Sequence, residues 1–331
     1  MAALSDLGWT PFFSAQVTAD EAATLRPVRV MAAHRGKIAV AGAGFEQMIP
    51  PYIAPADGQD DSEEDHPAVG DWLLIDPETS QILRLLHRAS LFKRRAAGHG
   101  RKLQLIAANV DTLFIVASCN QDFNVARLER YLVLAREVGV TPVVVLTKAD
   151  LAKAPERFAA LARELQPDIV VEIVNARDPD SVAQLAAWCG YGQTVALMGS
   201  SGVGKSTIIN SLRGSCDLAT QAVRVGDGKG RHTTTVREMH RLAQGGWLMD
   251  TPGMRELQLS DAAAGLADVF DDIVLLARQC RFTNCGHTVE PGCAVQVELR
   301  AGAIDPVRYD RWRKLTVEEA GVPSWSRGKR K

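Results

Sequence analysis

The sequence predicts an α/β chain in three parts: a small N-terminal β-barrel, a central mainly parallel sheet covered by helices, and a C-terminal helical module. Three observations lead there. Short β-prone runs separated by turn signals fill residues 27–86. From Asp111 onward strand-like and helix-like runs alternate, with a glycine-rich phosphate-loop pattern at Gly199–Thr207. Three cysteines and a histidine then crowd into Cys280–Cys293. The expected boundaries are 1–95, 96–258 and 259–331.

The totals narrow the class. A chain of 331 residues allows two or three domains. With 46% hydrophobic and 23% charged residues, packed domains are expected rather than disorder. The formal net charge is −1, so any polyanion contact must come from local patches. Met1–Arg26 lacks the basic start and apolar core of a secretory signal. No apolar run is long enough to span a bilayer. The expected location is the cytoplasm, with no membrane partner and with thiols reduced. The six cysteines are then free or metal-bound.

Taken in order, Met1–Arg26 is a lead in which Ala19–Leu25 can form a turn or two of helix. Val28–Val30, Lys37–Ala41, Trp72–Asp76 and Gln81–Leu86 read as short strands divided by turns such as Arg35-Gly36 and Asp76-Pro77. Several short strands in so few residues point to a small barrel, and an OB-fold is the common nucleic-acid-binding form. A β-domain with only a packing role has the same pattern. Asp57–Asp65 is an acidic run, read as a solvated loop between two strands. His87–Lys102 is basic, with Arg88, Lys93, Arg94, Arg95, Arg101 and Lys102 around Phe92. It reads equally as an RNA-phosphate footprint or as a solvated linker. Next come strand Thr112–Ala117, helix Val125–Val138, strand Thr141–Leu146, helix Ala152–Leu165, strand Ile169–Val174, helix Ser181–Trp188 and strand Thr194–Met198. This βαβ alternation predicts a mainly parallel sheet. Asp261–Ala277 and Pro306–Glu319 read as helices, and the basic tail Ser326–Lys331 as frayed.

The chemistry centres on Gly199-Ser200-Ser201-Gly202-Val203-Gly204-Lys205-Ser206-Thr207. An apolar strand precedes it and a helix follows from Ser206, the context a P-loop requires. The glycines let successive N–H groups curl round phosphate oxygens, and the helix N-terminus adds its positive end. Lys205 would reach the outer phosphates and the Ser206 hydroxyl would ligand Mg²⁺. Thr147-Lys148-Ala149-Asp150 closes the strand Thr141–Leu146 and selects the base. The Asp150 carboxylate can accept both the N1–H and the exocyclic amine of guanine, a donor pair that adenine lacks. Lys148 can lie along the base. Backbone N–H groups at Asn175-Ala176 could contact the guanine oxygen, although Ser-Ala is the usual dipeptide there. Asp250-Thr251-Pro252-Gly253 ends a short strand, Gly246–Met249; Asp250 can hold Mg²⁺ through water, and Gly253 lets the backbone approach the last phosphate. In Gly230–Thr235 a threonine can complete the Mg²⁺ shell, with Thr234 preferred over Thr235.

The order of these pieces is shuffled. The base-reading segments Thr147–Asp150 and Asn175-Ala176 precede the P-loop, whereas in common GTPases they follow it. A pocket built from loops that meet in space tolerates such permutation. With these motifs, the stretch Ile106–Asp111 and the Cys/His cluster, nearly the whole chain resembles the circularly permuted, small-ribosomal-subunit-dependent GTPases of the RsgA (YjeQ) family. That resemblance implies an OB-fold, GTP hydrolysis stimulated by the 30S subunit, and a role in late 30S maturation. It also implies that a histidine of the mobile loop, matching His232, positions the attacking water. The residue after Gly253 is Met254, and a thioether cannot do the work of the glutamine found there in many GTPases.

Cys280, Cys285, His287 and Cys293 supply three thiolates and one imidazole, a closed set for one structural Zn²⁺. The resemblance supports zinc at these positions. The following helix carries Trp312 among Arg308, Arg311, Arg313 and Lys314, either to meet rRNA or to pack on the metal module. The expectation is a Mg²⁺-dependent GTPase that cycles between GTP and GDP and binds the 30S subunit and 16S rRNA. No feature demands more than a monomer. The alternative is an RNA-binding assembly scaffold that binds GTP as a structural switch without significant turnover.

Overall fold

The aliphatic, β-branched runs become strands and the amphipathic runs become helices that cover them. The computed structural model describes residues 3–51, 63–95, 103–214, 237–250 and 262–320. The N-terminal lead holds a 3₁₀ turn at Leu4–Leu7 and two short helices, α1 (Pro11–Ser14) and α2 (Ala19–Thr24). Thr18 and Glu21 cap α2 reciprocally, each accepting from the other's backbone N–H. Strands β1 (Arg26–His34), β2 (Lys37–Gly42), β3 (Phe45–Ile49), β4 (Trp72–Ile75) and β5 (Ile82–Leu85) follow. They pair antiparallel as β1 with β2 and β4, β2 with β3, and β4 with β5. Their alternation places Val28, Val30, Ile38, Val40, Ile49, Leu73, Ile75 and Ile82 in one core. β6 (Leu91–Arg95) and β7 (Leu103–Ala108) form a separate two-stranded sheet.

The basic run is therefore partly a strand. Arg88 is held by both carboxylate oxygens of buried Asp71, Lys93 meets Glu64 at 2.7 Å, and Arg94 donates to Gln104. Residues 96–102 lie outside the described part, as do 57–62 of the acidic run and the tail 326–331.

The central sheet contains β8 (Thr112–Ser118), β9 (Thr141–Thr147), β10 (Val170–Ile173), β11 (Thr194–Met198), β12 (Arg237–Arg241) and β13 (Trp247–Asp250). The helices here are α3 (Val125–Glu137), α4 (Pro155–Arg163), α5 (Pro179–Ala183) and α6 (Lys205–Arg213). The order is β10-β9-β8-β11-β13-β12-β1-β2-β3. All these central strands run parallel except β12. From β8 the chain builds toward β10, and from β11 toward β13. The reversal between β8 and β11 is the topological switch point at which such sheets bind ligands, beyond the carboxyl ends of the strands. β12 pairs with β1, so the N-terminal strands and the central sheet are hydrogen-bonded into one surface.

Arg29 secures this junction from inside. Its side chain is 2% exposed and donates to the carbonyls of Leu7, Gly70 and Asn109, tying the lead, the β-module and the turn into β8 together. Burial pulls its guanidinium down to about 10, opposed by the nearby charges of Asp111 and Asp71.

Among the described residues four helices follow: α7 (Ala263–Val269), α8 (Asp271–Ala277), α9 (Ala294–Ala301) and α10 (Pro306–Glu319). The single helix expected over Asp261–Ala277 is two, broken at fully buried Phe270. α7 lies against α3 so closely that a Cβ on Gly265 would stand 2.1 Å from the Val133 carbonyl oxygen. Glu129 of α3 is buried and accepts from Arg311, with Arg308 at 3.6 Å, and Arg130 pairs with Glu318. Two cations of α10, Arg308 and Arg311, for which rRNA contact and packing were both open, are thus engaged in holding the C-terminal helices to α3.

The Gly265→Ala substitution must push α7 off α3. We expect a destabilisation of about 1–3 kcal/mol, as in other overpacked contacts, read as a lower midpoint in thermal unfolding.

Candidate functional site

The P-loop follows β11 and opens α6, as its flanks predict. Gly199 is required by approach, since a Cβ there would lie 2.3 Å from the Val116 carbonyl oxygen of neighbouring β8. Gly204 is required by conformation, with φ +102° just before the first helical residue. Lys205 is 8% exposed, and its Nζ donates to the Gly199 carbonyl at 2.7 Å and also to that of Ser200. The ammonium therefore sits inside the loop that is to cradle phosphate. Ser206 and Thr207 fall in the first turn of α6, where a hydroxyl can face a phosphate-bound cation.

Thr147 joins the base-reading segment to this loop. Its hydroxyl lies at hydrogen-bond distance from two carbonyls, that of Ala117 on β8 (3.2 Å) and that of Val203 in the P-loop. The Cys119 N–H returns a bond to the Thr147 carbonyl at 2.9 Å. Lys148 then takes a left-handed conformation, φ +57°, which turns the chain into the 3₁₀ turn Ala149–Leu151. Asp150 in that turn is exposed, free to meet a ligand at the strand ends.

Asn175 and Ala176 follow β10. The Asn175 N–H donates to Ser181 Oγ at 2.9 Å, and its side-chain oxygen accepts from the Arg177 N–H at 3.1 Å. The Ala176 carbonyl accepts from Ser211 Oγ of α6 at 3.1 Å. Thr147 thus ties Thr147–Asp150 to the P-loop directly, and Ser211 ties Asn175-Ala176 to the helix that the P-loop opens. Asp250 ends β13, two strands from β8 at the same edge. Gly253, His232 and Thr234 lie outside the described residues.

Three residues near these segments were not legible in the sequence. Ser211 has no motif signal, because its role depends on which loop the fold brings against α6. Ser118 and Asn120 close β8 at the switch point with a 2.8 Å side-chain contact, and only the strand order places them beside the P-loop.

The second site lies between α8 and α10. The ligand atoms of Cys280, Cys285, His287 and Cys293 all fall within 4.8 Å of one another. Cys280 Sγ is 3.8 Å from Cys293 Sγ and 3.5 Å from His287 Nδ1, and Cys293 Sγ is 3.6 Å from that nitrogen. A tetrahedral ion bound at about 2.3 Å to sulfur and about 2.0 Å to nitrogen separates its donors by about 3.5–3.8 Å. The four residues fit a metal ion. The shell around them is built to match. The His287 carbonyl accepts from Gln296 Nε2 at 2.8 Å and from the Tyr309 hydroxyl, while the ring rests 5.4 Å from that of Trp312. Trp312 is buried, so it packs on this module rather than facing outward. Glu290 accepts from the N–H groups of Gly286, Thr288 and Val289, which fixes the ligand loop; backbone hydrogen bonds, that of Thr288 foremost, hold its carboxyl down at about 2.

A family model described as RsgA GTPase matches residues 85–260. The chain belongs to the RsgA GTPase family. The family makes it a GTP-hydrolysing enzyme, and its P-loop chemistry implies Mg²⁺. A small ribosomal subunit biogenesis GTPase RsgA of Mesorhizobium japonicum is 50% identical over 318 residues, covering 95% of this chain and 89% of that protein. A small ribosomal subunit biogenesis GTPase RsgA 2 of Vibrio parahaemolyticus is 46% identical, covering 96% and 86%. Among solved structures, YjeQ from Thermotoga maritima matches with a TM-score of 0.63 at 22% identity over 90% of this chain and all of that one. YloQ, a circularly permuted GTPase, matches with a TM-score of 0.60 at 22% identity, covering 91% and 97%. These two share the fold. No helix among the described residues is long and apolar enough to cross a membrane.

Two outcomes follow from the geometry. Thr147→Val removes the hydroxyl that meets the Ala117 and Val203 carbonyls. GTP affinity in a nucleotide titration should fall roughly tenfold, the scale of one hydrogen bond, with Thr147→Ser close to the wild type. Elemental analysis of the purified chain should find one metal ion per chain, and none in Cys285→Ala.

Proposed function

We propose that this RsgA-family chain binds Mg²⁺·GTP at the carboxyl ends of β8, β9, β11 and β13 and acts on the small ribosomal subunit in late 30S maturation. The observation that carries the site reading is the Thr147 hydroxyl on the Val203 carbonyl, which brings base-reading and phosphate-binding segments to one place. In this reading the P-loop, Gly199 to Thr207, holds the phosphates, with Lys205 on the outer ones. Asp150 and Lys148 read guanine, and Asn175-Ala176 face its oxygen. Ser206, Asp250 and Thr234 hold Mg²⁺, which neutralises phosphate charge when bound, and Gly253 approaches the last phosphate. His232 orients the attacking water, since Met254 cannot. The ion at Cys280, Cys285, His287 and Cys293 is a structural Zn²⁺, because Cys₃His leaves no open position.

The partner follows from the relatives, which bear the name small ribosomal subunit biogenesis GTPase. The N-terminal β-module (1–95) and the zinc module (259–331) would flank the GTPase part (96–258) and grip 16S rRNA. Hydrolysis to GDP would loosen that grip. Such a factor works in the cytoplasm as a monomer.

The test is multiple-turnover phosphate release with and without purified 30S subunits. We expect turnover to be slow alone and strongly raised by the subunit. His232→Ala should retain GTP binding and lose roughly 10²-fold of the stimulated rate, the scale of a mispositioned reactant. Bound GTP without stimulated turnover would instead support a scaffold that uses the nucleotide as a structural switch.

A further inference from the structure

The Asn175-Ala176 turn is pinned from three sides. The preceding Val174 N–H donates to the Leu146 carbonyl of β9 at 2.8 Å. Ser181 takes the Asn175 N–H, and the Asn175 side chain takes the Arg177 N–H. The Ala176 carbonyl accepts from Ser211 Oγ. The Ala176 N–H, between these, donates to no group among the described residues, although Ala176 is only 7% exposed. An amide that meets no acceptor in the protein is open to a ligand oxygen.

Ser211 belongs to α6, the same helix that begins at Lys205. Its one hydroxyl bond joins the phosphate-binding helix to the base-facing turn. We infer that Ser211 is a positioning residue for guanine recognition: by tying the Ala176 carbonyl to α6, it holds the turn that carries the Ala176 N–H in place for the base oxygen of the nucleotide whose phosphates rest on the same helix. The inference rests on the guanine reading above and adds the residue that sets its geometry. The peptide plane that carries the Ala176 N–H is set by the Asp178 N–H on the Asn175 carbonyl at 3.0 Å, and the next plane, holding the Ala176 carbonyl, is the one tied to α6, so Ser211 fixes where the turn stands relative to the helix. Without the hydroxyl the turn keeps its Asx and Ser181 bonds but loses its tie to α6.

The test compares GTP with 6-thioguanosine triphosphate, which differs only in having sulfur, a weak acceptor, in place of the base oxygen. Wild type should bind GTP more tightly. Ser211→Ala should lose roughly 5–10-fold in GTP affinity, the scale of one hydrogen bond, and much less for the thio analogue, so the gap between the two narrows. Ser211→Thr, which keeps a hydroxyl, should retain the wild-type gap. If Ser211→Ala weakens both nucleotides equally, or neither, Ser211 does not position the reading amide and the inference fails while the guanine reading stands. If the wild type binds both nucleotides equally, the turn does not read the base oxygen, and that part of the guanine reading fails as well. A collapsed gap in Ser211→Thr would also count against the hydroxyl.

Discussion

The Thr147 hydroxyl, set between the Ala117 and Val203 carbonyls, is the contact on which the candidate site depends. It joins β8, β9 and the P-loop at the point where the sheet order reverses. A side-chain hydroxyl can serve here only because adjacent parallel strands end in step, so that their loops emerge side by side. The order in which the chain visits those strands is then irrelevant to the pocket. In the proposed reading, phosphate and base are met by loops fixed to the same edge, and any permutation that preserves the edge preserves the site.

The same sheet also explains how the flanking parts are attached. β12 pairs with β13 on one side and with β1 on the other, so the N-terminal strands continue the sheet that carries Asp250. Arg29 reinforces that seam with bonds to carbonyls from three segments. On the C-terminal side the seam is a helix pair, with Gly265 allowing close approach and Glu129 receiving Arg311 and Arg308. A buried carboxylate is tolerated there because cations from α10 face it, while burial still pushes its pKa up. Both attachments leave the carboxyl edge of the sheet open.

Much of this was legible in the sequence because burial on both faces of a parallel sheet demands unbroken apolar runs. Thr194–Met198 forms a strand with the bounds expected, and Pro306–Glu319 a helix with the bounds expected. The P-loop and the Cys/His cluster were legible for a different reason: their chemistry fixes residue types at short spacings. What escaped was structure whose stability comes from distant partners. β12 reads Arg-Glu-Met-His-Arg and shows no apolar run; it is a strand because β1 and β13 flank it. β6, with Lys93 and Arg94, is a strand because β7 pairs with it and Glu64 and Gln104 take its charges. The break at Phe270 is equally invisible, since Asp261–Ala277 is helix-prone throughout and packing alone divides it. α9 was hidden by its own neighbour: Cys293, read as a metal ligand, also caps that helix by accepting from the Gln296 N–H.

The claim that shuffled segments form one guanine-nucleotide pocket is tested most directly at Asp150, whose carboxylate is assigned to the base and which precedes the P-loop in the chain. A carboxylate there matches the donor edge of guanine, whereas an amide matches the added oxygen of xanthine. Competition of GTP against xanthosine triphosphate on Asp150→Asn should show the preference reversed toward the xanthine nucleotide, with Lys205→Ala abolishing binding of either. An Asp150→Asn chain that still prefers GTP as strongly as the wild type would contradict the account.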